Sequence, residues 1–91
     1  MEIQYTTKEE IIEAGRQRTF EFPIEGRKVI SGGVRVKASN VYDVLTTESF
    51  PLKEDTWLFA IINKGNEDRT IELHVISLTG DTPSIVIHLT N

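Results

Sequence analysis

His74 and His88 are the two residues of this sequence whose side chains could both bind a metal and change charge near pH 6. Each lies in a segment of alternating polar and apolar residues that predicts a strand, and an antiparallel hairpin with Leu78 opposite Ser84 places the two imidazoles about 5 Å apart at Cβ. Such a pair could share a divalent metal, or repel when protonated at about pH 6. A zinc site needs a third ligand and only Glu72 is close enough, so we interpret the pair as ordinary strand histidines and expect no metal or cofactor.

Nucleophilic catalysis has no recognisable residues in this sequence. The serines lack a glycine elbow, there is no phosphate-cradling loop, and no pair of carboxylates recurs at a spacing that fixes geometry. The chain also contains no cysteine, which excludes a disulfide framework and a thiolate metal site. We therefore predict that the protein is not an enzyme.

Charge is distributed unevenly along the 91 residues. The net charge is -4, but residues 16–37 carry six bases and two acids. This basic block either contacts phosphate or a partner, or keeps a strand edge charged against pairing; we favour the second and expect no nucleic-acid partner. The block consists of Arg16, Arg18, Arg27, Lys28, Arg35 and Lys37.

Short segments of period-two alternation follow residue 15 and predict one all-β domain over 16–91. Their spacing favours a small antiparallel β-sandwich, of jelly-roll or immunoglobulin-like type. Pro23 predicts that the first of these strands is an edge, and Gly32-Gly33 indicates a bulge or a close backbone approach. The predicted strands cover 20–24, 29–37, 41–47, 57–63, 70–78 and 84–90.

The first 15 residues predict a separate short helix or arm. Thr7 to Glu10 has the form of a capping box, Ile11 and Ile12 follow, and Gly15 suits a C-terminal cap. A helix of about two turns is unstable alone, so its isoleucines must pack on the sheet or on a neighbour. The sequence shows neither a signal peptide nor an apolar run of membrane-spanning length, and we expect synthesis in the cytoplasm without a membrane partner.

The stretch 29–78 resembles a small β-sandwich domain of bacterial proteins of unassigned function. The residues that carry the resemblance are Gly32-Gly33, Ser49-Phe50-Pro51, Trp57 with Asn63-Lys64-Gly65, and the β-branched run 71–76. The resemblance implies a β-sandwich fold and no particular activity.

The segment 57–63 is apolar without alternation, which predicts a strand covered on both sides. If it forms a hairpin with 70–78, Leu58, Ala60 and Ile62 share the core face with Ile71, Leu73 and Val75. The opposite face would then be too apolar for water, so the helix, another strand or a partner protein must cover it. The predicted interface residues are Trp57, Phe59, Ile61, Ile76, Ile11 and Ile12.

These patterns predict a non-catalytic structural or protein-interaction module that acts through an apolar sheet face. Its partner would be a second copy of the chain or another protein of an assembly, and its role that of a decorating or assembly subunit in a virion or surface structure. The alternative is a carbohydrate-binding module, in which Trp57, Tyr42, Phe50 and Phe59 form a platform that stacks on sugars.

Overall fold

Six β-strands form two three-stranded sheets in the computed structural model, which describes residues 2–38 and 41–79. Sheet A has the order β1-β6-β3 and sheet B the order β2-β5-β4, and all neighbouring strands are antiparallel. This confirms the predicted all-β fold, a small β-sandwich. The predicted strand over 84–90 lies outside the described residues. The strands are β1 (Glu2–Ile12), β2 (Gln17–Pro23), β3 (Lys28–Val36), β4 (Val44–Lys53), β5 (Thr56–Asn63) and β6 (Arg69–Thr79).

The chain passes from one sheet to the other at four of the five connections between these strands. The turns after β1 and β2 each contain a glycine with positive φ, Gly15 at 72° and Gly26 at 76°, a backbone conformation that other residues rarely adopt. Among the six described strands, only β4 and β5 form a hairpin within one sheet. β2 is an edge strand, as Pro23 predicts.

The hydrophobic core lies between the two sheets and is built from the inward positions of the two central strands. β5 supplies Trp57, Phe59 and Ile61, and β6 supplies Ile71, Leu73 and Val75; all six are buried. Full burial of each such side chain contributes about 1.5–3 kcal/mol to the stability of the fold. The six side chains of these two strands therefore make most of the stabilising apolar contacts. Further buried members of the cluster are Ile12, Phe20, Phe22 and Val29.

The predicted hairpin between β5 and β6 is wrong, because the two strands belong to opposite sheets. The loop 64–68 is long enough to cross the gap of about 10 Å between packed sheets. Alternation within β5 and within β6 is as predicted, but the side of β5 that faces β6 carries Trp57, Phe59 and Ile61. The predicted core residues Leu58 and Ile62 are half-buried on the outer side.

The predicted N-terminal helix is also wrong, because residues 2–12 form β1. This strand pairs with β6 along its whole length, from Glu2 opposite Thr79 to Ile12 opposite Arg69. This pairing satisfies the backbone hydrogen-bonding groups along one side of β1. An isolated helix of two turns is unstable in water, so the strand is the more stable form of this segment. The first residues are therefore an integral strand of sheet A and not a separate arm.

The indole of Trp57 packs directly on the backbone of Gly32 in β3. A Cβ atom at position 32 would overlap the indole ring, whereas one at Gly33 would meet nothing within 4 Å. The indole Nε1 donates a 2.8 Å hydrogen bond to Ser49 Oγ, and Pro51 lies opposite Trp57 on β4. The paired glycines predict a bulge or the close approach of another backbone; the neighbour of Gly32 is instead this indole side chain, and the register irregularity of β3 lies between Val29 and Ser31.

Gly32→Ala should destabilise the fold and Gly33→Ala should not. Neither glycine has positive φ, so the two substitutions differ mainly in what the new methyl group meets. Overpacking of a core costs about 1–3 kcal/mol, which lowers the melting temperature of a domain this small by about 4–8 °C per kcal/mol. Thermal unfolding followed by circular dichroism measures both variants. Equal melting temperatures would contradict the proposed packing of Trp57 on Gly32.

Candidate functional site

The predicted interface residues do not form one surface. Trp57, Phe59 and Ile61 are 9%, 0% and 0% exposed and lie between the sheets, so the prediction that they face a partner is wrong. Ile12 is also fully buried in the core, whereas Ile11 is 53% exposed on β1. Ile76 is half-buried on the outer side of sheet A. These differences follow from the position of β5, which turns its aromatic side towards β6.

His74 lies on the outer face of sheet A within a row of polar side chains that crosses all three strands. Tyr5 Oη and His74 Nδ1 are hydrogen-bonded, and the two ring centroids are 5.4 Å apart. His74 Nε2 is 3.4 Å from Glu72 Oε1, and Arg35 Nη1 is 3.2 Å from the same oxygen. We call this row the polar ladder; it comprises Tyr5, Glu9, Arg35, Lys37, Glu72 and His74.

Lys37 and Glu9 form the far end of the polar ladder as an ion pair that spans β6. The hydrogen bond to the Glu9 carboxylate, followed by its negative charge, raises the pKa of Lys37 above the ordinary value of 10.5. A raised pKa in the folded state means that the pair is intact at neutral pH, and that its contribution is lost only as the pH rises through that pKa.

The predicted pairing of His74 with His88 cannot be placed, because His88 lies outside the described residues. Within 2–38 and 41–79, no group of three or more histidine, aspartate or glutamate side chains is arranged to hold a metal. The strand neighbours of His74 are Thr7 on β1 and Gly33 on β3.

The outer face of sheet B carries an apolar surface, whose β5 members Leu58, Ala60 and Ile62 were predicted to lie in the core. Leu45 pairs with Ile62 and Phe50 pairs with Leu58, so each pair projects to the same side of the sheet. Leu45 is 45% and Phe50 40% exposed. We call this surface, formed by Leu45, Phe50, Leu58, Ala60 and Ile62, the apolar face of sheet B. Its signal in the sequence is the unbroken apolar run of β5.

A buried asparagine organises the loop between β5 and β6. Asn63 is fully buried; its Nδ2 donates to the carbonyls of Ile12 at 3.1 Å and Glu67 at 2.8 Å, and its Oδ1 accepts from Gly65 N at 2.9 Å. Gly65 lies against the Asp43 side chain, where a Cβ atom would not fit. The Asn63-Lys64-Gly65 motif therefore stabilises the loop through which the chain crosses from one sheet to the other.

The basic block is dispersed over two sheets and engaged within the chain. Arg18, Lys28, Arg35 and Lys37 pair with carboxylates. Arg27 donates to Ser77 Oγ at 2.9 Å and to the Glu2 carbonyl at 3.3 Å. These contacts tie strands together rather than presenting one continuous basic surface.

The four aromatic residues considered for sugar stacking are also separated. Trp57 and Phe59 lie in the core, whereas Tyr42 is 86% exposed in the segment before β4 and Phe50 is 40% exposed on the outer face of sheet B. The structure does not bring them together as a platform.

The fold and site are those of a small all-β sandwich domain. A tryptophan packs on a glycine between its sheets, and an asparagine holds the loop that crosses from one sheet to the other. A family model described as YjdH matches residues 2–77, and the chain belongs to the YjdH family. No curated protein matches the chain, and no solved structure does. The described residues contain no helix with the length and apolar character needed to cross a membrane.

Asn63→Asp should destabilise the protein far more than Asn66→Asp in the same loop. A carboxylate has no donor for the two carbonyls that Asn63 Nδ2 now binds, and leaving buried polar groups unsatisfied costs about 1–3 kcal/mol each. Asn66 is exposed, so it is the matched control.

The measurement is urea unfolding of both variants and the wild type at neutral and acidic pH. The deficit of Asn63→Asp relative to wild type should shrink at acidic pH, where a protonated carboxyl can donate one hydrogen bond. A deficit no larger than that of Asn66→Asp would refute the role assigned to Asn63.

Proposed function

We propose that this protein is a non-catalytic protein-interaction module that associates with a second copy of itself through the apolar face of sheet B. The observation that carries the proposal is the pairing of exposed Leu45 and Phe50 with half-buried Ile62 and Leu58 on the same face of the sheet. Contiguous apolar surface of this kind normally marks an interaction site in a folded domain.

The outer face of sheet A is less suitable for an apolar contact. Its exposed isoleucines, Ile3 and Ile11, lie near opposite ends of β1, and the polar ladder runs between them. Ion pairs of that kind must be desolvated when a partner binds, which offsets the gain from apolar contact. Between its two apolar pairs sheet B carries one acidic side chain, Glu48 opposite Ala60, which forms no ion pair among the described residues.

The area available sets the strength of the association. The eight residues of β5 at about 3.3 Å each, with three strands about 4.8 Å apart, give the whole outer face of sheet B a flat footprint of about 380 Å². Stable complexes bury about 800 Å² on each partner, so the face supports a weak contact. Weak contacts become effective when many copies are held together. This favours a structural or decorating subunit of a larger assembly, such as a virion or a surface structure.

Acidic side chains lie beside and within the apolar face of sheet B. Glu21 pairs with Leu58 from β2, and Glu48 pairs with Ala60 from β4. Two copies meeting through this face bring these carboxylates near each other. Added salt screens such repulsion, so self-association should strengthen as the salt concentration rises.

The double variant Leu45→Ser/Phe50→Ser should weaken self-association without unfolding the protein, because both side chains are already substantially exposed. We expect a dissociation constant at least about tenfold larger than that of the wild type, which corresponds to about 1.4 kcal/mol. Sedimentation equilibrium from micromolar to millimolar concentration, at low and high salt, gives this constant.

The matched control is Ile3→Ser/Ile11→Ser, which removes two exposed apolar side chains from sheet A. It should associate as the wild type does. A wild-type protein that is monomeric at millimolar concentration would overturn the proposal, as would a control that loses association while the sheet B variant retains it.

A further inference from the structure

Tyr5 begins a series of three side chains on the outer face of sheet A that resembles a proton relay. Its phenol is hydrogen-bonded to His74 Nδ1. On the other side of the imidazole, Nε2 lies 3.4 Å from the Glu72 carboxylate. Nucleophiles are activated by an adjacent base, which here is His74; its Nε2 is buried without a hydrogen-bond partner among the described residues, and Glu72 is near enough to form an ion pair with a protonated imidazole.

Exposure divides the series into an accessible end and a protected end. Tyr5 is 61% exposed, whereas the side chains of His74 and Glu72 are only 22% and 19% exposed. The base and the carboxylate are therefore held against the sheet while the phenol oxygen faces the solvent. An electrophile can reach the oxygen without displacing the groups behind it.

The surroundings of His74 are defined on both neighbouring strands. From β1, Thr7 lies opposite and Glu9 two pairs further along; from β3, Gly33 lies opposite and Arg35 two pairs further along. A Cβ atom at Gly33 would meet nothing within 4 Å, so the flank of the imidazole on that side is open. Arg35 holds Glu72 in place through its 3.2 Å contact.

We propose that Tyr5 is a covalent modification site, a nucleophile primed by His74 and Glu72 for phosphoryl-type electrophiles. The phenol oxygen attacks a tetrahedral phosphorus atom that carries a leaving group. The new oxygen–phosphorus bond forms, the bond to the leaving group breaks, and the leaving group departs with its electron pair. The phenol proton passes to His74 Nδ1, and the resulting imidazolium is stabilised by the carboxylate of Glu72, a positioning residue.

Tyr42 provides an internal reference on the same chain. It is 86% exposed, more than Tyr5, so accessibility alone predicts that Tyr42 reacts faster. Activation by His74 predicts the opposite order. The ratio of the two rates separates reactivity from exposure within one sample.

The experiment treats the full chain with a fluorophosphonate, in which fluoride is the leaving group, and follows the adducts on Tyr5 and Tyr42 by peptide mass spectrometry. General base catalysis contributes about 100-fold or more in enzymes, and for a site without further stabilising groups we expect Tyr5 to react at least about tenfold faster than Tyr42. In urea, where the relay is broken, the ratio should fall to about one.

His74→Gln should reduce the Tyr5 rate to that of Tyr42 and leave the Tyr42 rate unchanged, because glutamine occupies the site but takes up no proton. Glu72→Gln should give an intermediate rate. Ser31→Ala, on β3 opposite Ile76, is the matched control and should not alter the ratio.

Equal rates at the two tyrosines of the folded wild type would overturn the proposal, and so would an unchanged ratio in folded His74→Gln. If His74→Gln fails to fold, as judged by circular dichroism, the wild-type ratio with and without urea and the Glu72→Gln variant decide the question.

Discussion

The contact between the Trp57 indole and the backbone of Gly32 is the constraint on which the rest of the sandwich depends. It joins β5 of sheet B to β3 of sheet A at the distance that only a residue without Cβ permits. Ser49 accepts the indole N–H, so the one polar atom of this large ring is satisfied although the ring is buried. The contact therefore sets which side of β5 faces the core.

Once Trp57 points inward, the alternation of the strand dictates the outer surface. Phe59 and Ile61 follow Trp57 into the core, and Leu58 and Ile62 must point outward. Because β5 is apolar at nearly every position, this arrangement gives the molecule a filled core and an apolar outer face together. The feature that stabilises the sandwich is thus also the feature that creates the surface proposed for association.

Sheet A combines the same inner packing with a different outer surface. β6 supplies Ile71, Leu73 and Val75 to the core, while Glu72 and His74 between them face outward. The pairing of β1 along all of β6 brings side chains that are nearly seventy residues apart in sequence into contact, as with Tyr5 and His74. The polar ladder exists because of this long-range pairing.

The sequence by itself determined the fold class, the alternation within β2, β5 and β6, and the edge position of β2. All of these follow from the preferences of neighbouring residues along one strand. Only the tertiary structure decided that β5 and β6 lie in opposite sheets, and that residues 2–12 form a strand rather than a helix. The physical reason is that alternation specifies which residues share a face, whereas the assignment of strands to sheets depends on contacts across the core and on backbone pairing between distant segments.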